Sequence, residues 1–365
     1  MMKMKMKMKI IDRYIIRKFL GTFFFALGLI ILIAIVFDIS EKIDDFIEKE
    51  APIRAIVFDY YLNFIPYFGN LFSPLFVFIS VIFFTTRMAN LTEIVAILSS
   101  GVSFKRLLVP YMIGATVITC ISLYLNNYVI PHSNSTRIAF ETKYIKNPFV
   151  YKNRHVHRQI APGVFIYFDS YNNVDKVGYQ FSMEKIENGK MISKLMSERI
   201  IWDSTKTKWK VENYFIRSID GMKETIKSGY QIDTALAFKP DEFNRRSNYI
   251  ETMDSYELKK YIEEETQRGS EEIPLYQVEL YRRTSFPFAT FILTLIGVSL
   301  SSKKVRGGIG MQIGLGILLS FTYIMFMQIS QTFATNGSMS PLLAVWIPNL
   351  FFSVIALYLA KKAMQ

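Results

Sequence analysis

Five stretches of the chain carry no charged side chain, at 19–37, 60–86, 107–136, 284–302 and 307–360, and a long polar interval separates the third from the fourth. A helix needs about 20 apolar residues to cross the roughly 30 Å hydrocarbon core of a bilayer. The first four stretches each supply one crossing. The fifth is too long for one, and TNGSMSP at 335–341 divides it. The pattern predicts six spans, three on either side of the interval. A lysine-rich start before an apolar run is also how a signal peptide begins. Here the run exceeds an h-region and passes into Asp38-Ile39-Ser40-Glu41 with no small-residue cleavage site, so a retained helix is expected.

Inside the interval the period changes. GVFIYFDSY at 163–171, VGYQFSMEKI at 177–186, KLMSERIIWD at 194–203 and KWKVENYFIRSI at 208–219 are short and rich in β-branched and aromatic residues. Asn172-Asn173, Asn188-Gly189, Asp203-Ser204 and Asp220-Gly221 punctuate them. Evenly spaced strands with tight turns predict an antiparallel meander folded as a sandwich or jelly roll. Asp254 and Glu257 then have capping-box spacing before a short helix with Leu258, Tyr261 and Ile262 on one face, which Gly269 ends. The expected organisation is an N-terminal transmembrane half at 1–136 and an all-β, jellyroll-like domain at 137–253. A juxtamembrane helix with the C-terminal transmembrane half follows at 254–365.

Charge orients this plan. The 365 residues carry 43 Lys+Arg and 31 Asp+Glu, a formal +12. Segments 1–18, 85–106, 303–306 and 361–365 hold 15 of the bases and only Asp12 and Glu93 as acids, leaving 28 bases against 29 acids elsewhere. Six spans put those four segments on one side, which the positive-inside rule makes cytoplasmic, with both termini. The β domain falls outside, and the basic excess calls for no nucleic acid.

Chemistry-bearing motifs are scarce. None of His132, His155 and His157 sits in an HExxH pattern, and there is neither GxSxG nor GxxxxGK[ST]. His155 and His157 have metal-ligand spacing on a strand but no third ligand nearby, and a polar edge strand is the better account of them; no metal or cofactor is expected. Cys120, the single cysteine, lies within the third span and excludes a disulfide framework. The spans almost lack ionisable groups, which argues against a self-energised, ion-coupled carrier. Asn63, Asn70 and Asn126 read as helix-to-helix hydrogen bonders, and Pro66, Pro74, Pro110 and Pro287 as kinks. Gly310 and Gly314 form a GxxxG suited to close helix packing, within the chain or against a partner.

The loop TTRMANLTEIVAILSSGVSFKR at 85–106 is the most informative. Asn90 and Glu93 have capping-box spacing, and Gly101 is a ready stop, so a helix over about 90–100 is expected. Leu91, Ile94, Val95 and Leu98 fall on one stripe, with Glu93, Ala96, Ile97 and Ser100 opposite. Such a helix lies flat under the bilayer and offers a carboxylate and an isoleucine to a cytoplasmic partner, or it merely connects two spans.

These residues resemble the lipopolysaccharide export permeases of the LptF/LptG (YjgP/YjgQ) family. The likeness runs through IIDRYIIRKFLGTFF at 10–24, TEIVAILSSGVS at 92–103, PFATFILTLIGVSLSS at 287–302 and the three-span, β-domain, three-span plan. It implies a multi-pass protein of the bacterial inner membrane with a periplasmic β domain. It implies no enzyme activity in this chain, with ATP hydrolysed by a separate cytoplasmic ATPase dimer (LptB-like). The other implied partners are a second LptF/LptG-type permease or a copy of this chain, a periplasmic bridge protein (LptC/LptA-like), membrane lipids and lipopolysaccharide as cargo. The loop helix would be the coupling helix, with Glu93 engaging the ATPase and Arg87, Ile97, Ser100 and Gly101 shaping the contact.

An anionic amphiphile calls for apolar walls and a basic rim. Lys42, Arg137, Arg282 and Arg283 are the substrate-binding candidates, with an interfacial anchoring role as the plain alternative. The family's first helix often ends in lysines, whereas acids flank Lys42 here. Two other readings fit the pattern: a mechanotransmitting ABC permease, which usually has four spans, and a membrane scaffold without a motor.

Overall fold

The computed structural model describes residues 9–145, 154–236, 238–240, 247–303 and 308–364. Among them, six helices are long and apolar enough to cross a membrane. In chain order these are α1 (Ile10–Glu48), α2 (Ile53–Asn90), α4 (Phe104–Tyr144), α6 (Ile273–Ser301), α7 (Gly308–Thr335) and α8 (Pro341–Ala363). Two short α-helices, α3 (Glu93–Ser99) and α5 (Ser255–Gln267), and a 3-10 helix at Ser247–Thr252 complete the helical elements among the described residues. The residues form two compact units. The first holds residues up to 145, 251–255 and everything from 274 onward; the second holds 146–250 and 256–273.

In the first unit the long helices outlast their charge-free cores. α4 continues past residue 136 because its charges pair along its own face: Arg137 Nη1 lies 2.6 Å from Glu141, one turn on. Phe140 beside them is buried against Phe46 and Tyr60. Short π-turns interrupt α2 at Ile56–Tyr61 and α4 at Leu125–Val129. Close helix approach depends on Gly297 and Gly316, where an added Cβ would strike Val81 and Phe78, or Ile82. At Gly310 and Gly314 no described atom lies within 4 Å of such a Cβ, so packing among the described residues does not use the GxxxG.

Proline explains much of the polar wiring. Pro348 lacks the N–H that the Ala344 carbonyl needs, and the Ser330 hydroxyl of α7 donates to that carbonyl instead, at 2.6 Å. Asn349 is buried, accepts from Tyr323 at 2.8 Å and donates to Ser285 O at 2.8 Å. Asn70 and Asn126 do bond between helices, as read from sequence, at 2.8 Å. Asn63 instead folds back on Phe58 O and Asp59 O beside its own π-turn.

In the second unit, strands β1 (Arg154–Ala161), β2 (Val164–Asn172), β3 (Val177–Glu187), β4 (Lys190–Asp203), β5 (Lys208–Asp220) and β6 (Lys223–Thr234) form one antiparallel sheet in the order β1-β2-β3-β4-β5-β6. All four sequence-read turns fall between strands; at Asn188-Gly189 both residues have positive φ, +49° and +74°, as a tight hairpin requires. The described strands are a nearest-neighbour meander, without the crossovers of a jelly roll. Phe168, Phe181, Ile200, Trp209 and Phe238 fill the core, and the Trp209 indole N–H donates to Phe238 O at 3.0 Å.

Helix α5 clusters with this sheet, not with the C-terminal spans. Gln159 N–H on the outer side of β1 donates to Arg268 O at 3.0 Å, and Arg158 pairs with the buried Glu265 at 2.6 Å. β6 went unread because its sequence is polar and nearly all exposed, as a sheet edge allows. His155 and His157 lie beside Tyr167, with Asp169 3.3 Å from His155.

Candidate functional site

The connection between α2 and α4 is built around two isoleucines. Arg87 is exposed on the last turn of α2, and Asn90 ends that helix without capping the next. The chain reverses at Thr92, held at φ +60°, where its N–H reaches Ala89 O and that of Leu91 reaches Arg87 O, both at 3.1 Å. α3 therefore starts at Glu93, and its roll is set by burial of Ile94. That side chain belongs to one apolar cluster with Ile15 and Phe19 of α1, Met88 of α2 and Phe104 and Leu107 of α4, and half-buried Ile97 packs against the same cluster. Turning these two inward leaves Leu91, Val95 and Leu98 exposed. The expected stripe is thus rotated: Ile97 is a seat, and the outward apolar residues are its neighbours. Ser100 and Gly101 are exposed at the end, Gly101 at φ +85°. Glu93 is half-exposed and accepts the Tyr14 hydroxyl at 3.2 Å.

One ion pair beside this helix was not foreseen. Arg106 presents its fork to Asp12 with Nη1 at 2.7 Å and Nη2 at 2.6 Å, and Asp12 also accepts the Lys9 N–H at 2.8 Å. The pair joins the first turn of α1 to the first turn of α4.

Towards the far ends of α1 and α4 and in the first half of α6 lie the four candidate cations, each beside a carboxylate. Lys42 Nζ is 2.5 Å from Asp38 and also donates to the Tyr60 hydroxyl. Tyr60 and Tyr61 in turn donate to Asp38 at 3.3 and 3.1 Å. Arg137 is buried between Glu141 and Asn134, its guanidinium 5.0 Å from the Tyr67 ring centroid. A single carboxylate, Glu279, holds both Arg282 (2.6 Å) and Arg283 (3.2 Å). Arg283 is buried and reaches Met253 O at 2.8 Å, which ties the 251–255 segment to α6.

Arg282, Arg283, Glu279, Glu251, Tyr67 and three asparagines, Asn70, Asn126 and Asn134, line a common pocket. Glu251 accepts from Asn134 at 3.3 Å. Burial, and next the charge of Glu279, push its carboxyl above the ordinary range, against the pull of the three arginines. Arg137, Arg282 and Arg283 thus meet around one site, while Lys42 belongs to a separate cluster with Tyr60 and Tyr61.

The sequence model of the lipopolysaccharide export system permease LptF/LptG family matches residues 13–362, taking in all six spans and the sheet. The chain belongs to that family. A search of curated proteins found no match. As an LptF/LptG family member the chain is an integral membrane transport component, not a catalyst.

Sequence reasoning noted the acids beside Lys42 but paired none of the cations with a carboxylate, although Asp38–Lys42, Arg137–Glu141 and Glu279–Arg283 all have readable i,i+4 spacing. Asp12–Arg106 gave no such signal, being 94 residues apart. Lys3, Lys5, Lys7, Lys304 and Arg306, which contributed to the charge reading, lie outside the described residues.

Proposed function

We propose that this chain is the permease subunit of an ATP-driven exporter that extracts lipopolysaccharide from the bacterial inner membrane and passes it to a periplasmic bridge protein (LptC/LptA-like). The family match over 13–362 carries the reading. Both termini and α3 then face the cytoplasm, and the sheet faces the periplasm, in keeping with the positive-inside rule. α3 docks on an LptB-like ATPase dimer through Glu93 and Arg87, with Ser100 and Gly101 at the edge and Ile97 seating the helix from beneath. The exposed Leu91, Val95 and Leu98 support this, since they give a two-turn helix an apolar contact surface.

A second LptF/LptG-type permease, or a copy of this chain, completes the cavity, and Gly310 and Gly314 are open to such a neighbour. Of the four cations, Arg282 and Lys42 keep 28% and 21% of their side chains accessible, and they meet the anionic headgroup while Arg137 and Arg283 hold the frame. At the sheet, β1 carries the bond to Arg268 on its outer side, whereas no described strand pairs beyond β6. β6 is therefore the edge for strand addition by the bridge protein.

The test is Glu93→Arg in the intact complex. ATPase recovery with the purified permease should drop about tenfold or more while the variant reaches the membrane at normal level. Unchanged recovery would remove α3 as the docking element. Photocrosslinkers beside Lys42 and Arg282 should capture lipopolysaccharide; capture of phospholipid alone would remove both residues from the substrate site.

A further inference from the structure

α1 is fully buried only near its ends, and between them Leu27, Ala34 and Ile35 are half-buried against the neighbouring apolar clusters. Asp12, Ile15, Phe19 and Phe23 are buried at its start and Phe46 near its finish, and no residue from Phe24 to Asp45 is buried. The start is held in three ways. Arg106 closes its fork on both oxygens of Asp12 at 2.6–2.7 Å, Tyr14 donates to Glu93 of α3 at 3.2 Å, and Phe19 enters the space that Gly114 leaves on α4. A two-point guanidinium–carboxylate pair fixes orientation as well as distance, which one apolar contact or a single-point lysine contact cannot do. Asp12 is further fixed by the Lys9 N–H, so the carboxylate is rigid on its own helix.

We infer that Asp12 and Arg106 are positioning residues that make the start of α1 move as one body with the α3–α4 connection, so that displacement of α3 is delivered to the exposed apolar shaft of α1. This rests on the reading of α3 as the ATPase-docking helix. If the pair were cut, α3 would still dock through its own exposed face, but its motion would no longer be imposed on α1.

The experiment uses the full complex in proteoliposomes and measures lipopolysaccharide released per ATP hydrolysed. Asp12→Asn and Arg106→Gln should each lower that ratio by about tenfold, a typical coupling energy between linked sites, with ATPase recovery reduced by less than about twofold. The reversed pair, Asp12→Arg with Arg106→Asp, should restore at least about half of the lost ratio, as expected when the two residues act on each other. A ratio unchanged in the single variants, a reversed pair no better than either, or loss of ATPase recovery would each overturn the inference. Glu93→Arg run beside them separates the two proposals. If it leaves ATPase recovery intact, the docking reading fails by itself, whereas the Asp12 and Arg106 ratios report on the clamp.

Discussion

The Asn126 side chain donates to the carbonyl of Arg283 at 3.3 Å, and that carbonyl is the one from which Pro287 withholds an N–H. Asn126 also accepts from Asn70, whose carbonyl oxygen in turn accepts the Ser122 hydroxyl at 2.6 Å. Asn126→Leu should destabilise the detergent-solubilised protein by about 1 kcal/mol, the usual scale for a hydrogen bond between membrane helices. In a Pro287→Ala background the backbone N–H returns and the penalty should shrink; thermal melts of the four-member cycle check this.

Glycines should separate by position. Gly316→Val has no space against Ile82 and should cost the chain about 1–3 kcal/mol or its folded yield. Gly314→Ala, which meets no described neighbour, should stay within about 0.5 kcal/mol in the same melt of the isolated chain.

Glu251 gives a pH dependence of defined sign. Its carboxyl pKa is raised by burial and by Glu279, so the folded state holds a proton more tightly than the unfolded chain. Stability therefore falls as pH rises from the ordinary carboxylate value through the raised one. Glu251→Gln keeps an acceptor for Asn134, should raise the melting temperature at neutral pH and should flatten the profile across that window.

The order of the spans and of the four inner strands was legible because it follows from period and charge: charge-free runs of bilayer length, then strands bounded by turn residues. What stayed hidden depended on which face each element turns. Ile97 was expected outward because helix periodicity gives spacing but not roll, and burial of Ile94 set the roll. The cations were read singly because a sequence shows charges before it shows their partners. Asp12–Arg106 became visible only when α1 and α4 were side by side. The GxxxG at Gly310 stood out as a motif, yet the tight helix contacts among the described residues fall at Gly114, Gly297 and Gly316.

The orientation has a direct check. With Cys120, the single cysteine, replaced by serine, a cysteine at exposed Ser100 should react with an impermeant maleimide only after the inner face is opened. One at Met222, fully exposed beyond β5, should react in spheroplasts. The opposite pattern would invert the topology.

The measurement closest to the central claim is transfer of lipopolysaccharide from proteoliposomes holding the purified complex to its bridge protein, followed by crosslinking with and without ATP. The account predicts ATP-dependent accumulation on the acceptor that is lost in Glu93→Arg. ATP hydrolysis by the wild-type complex with no lipopolysaccharide reaching the acceptor would contradict it.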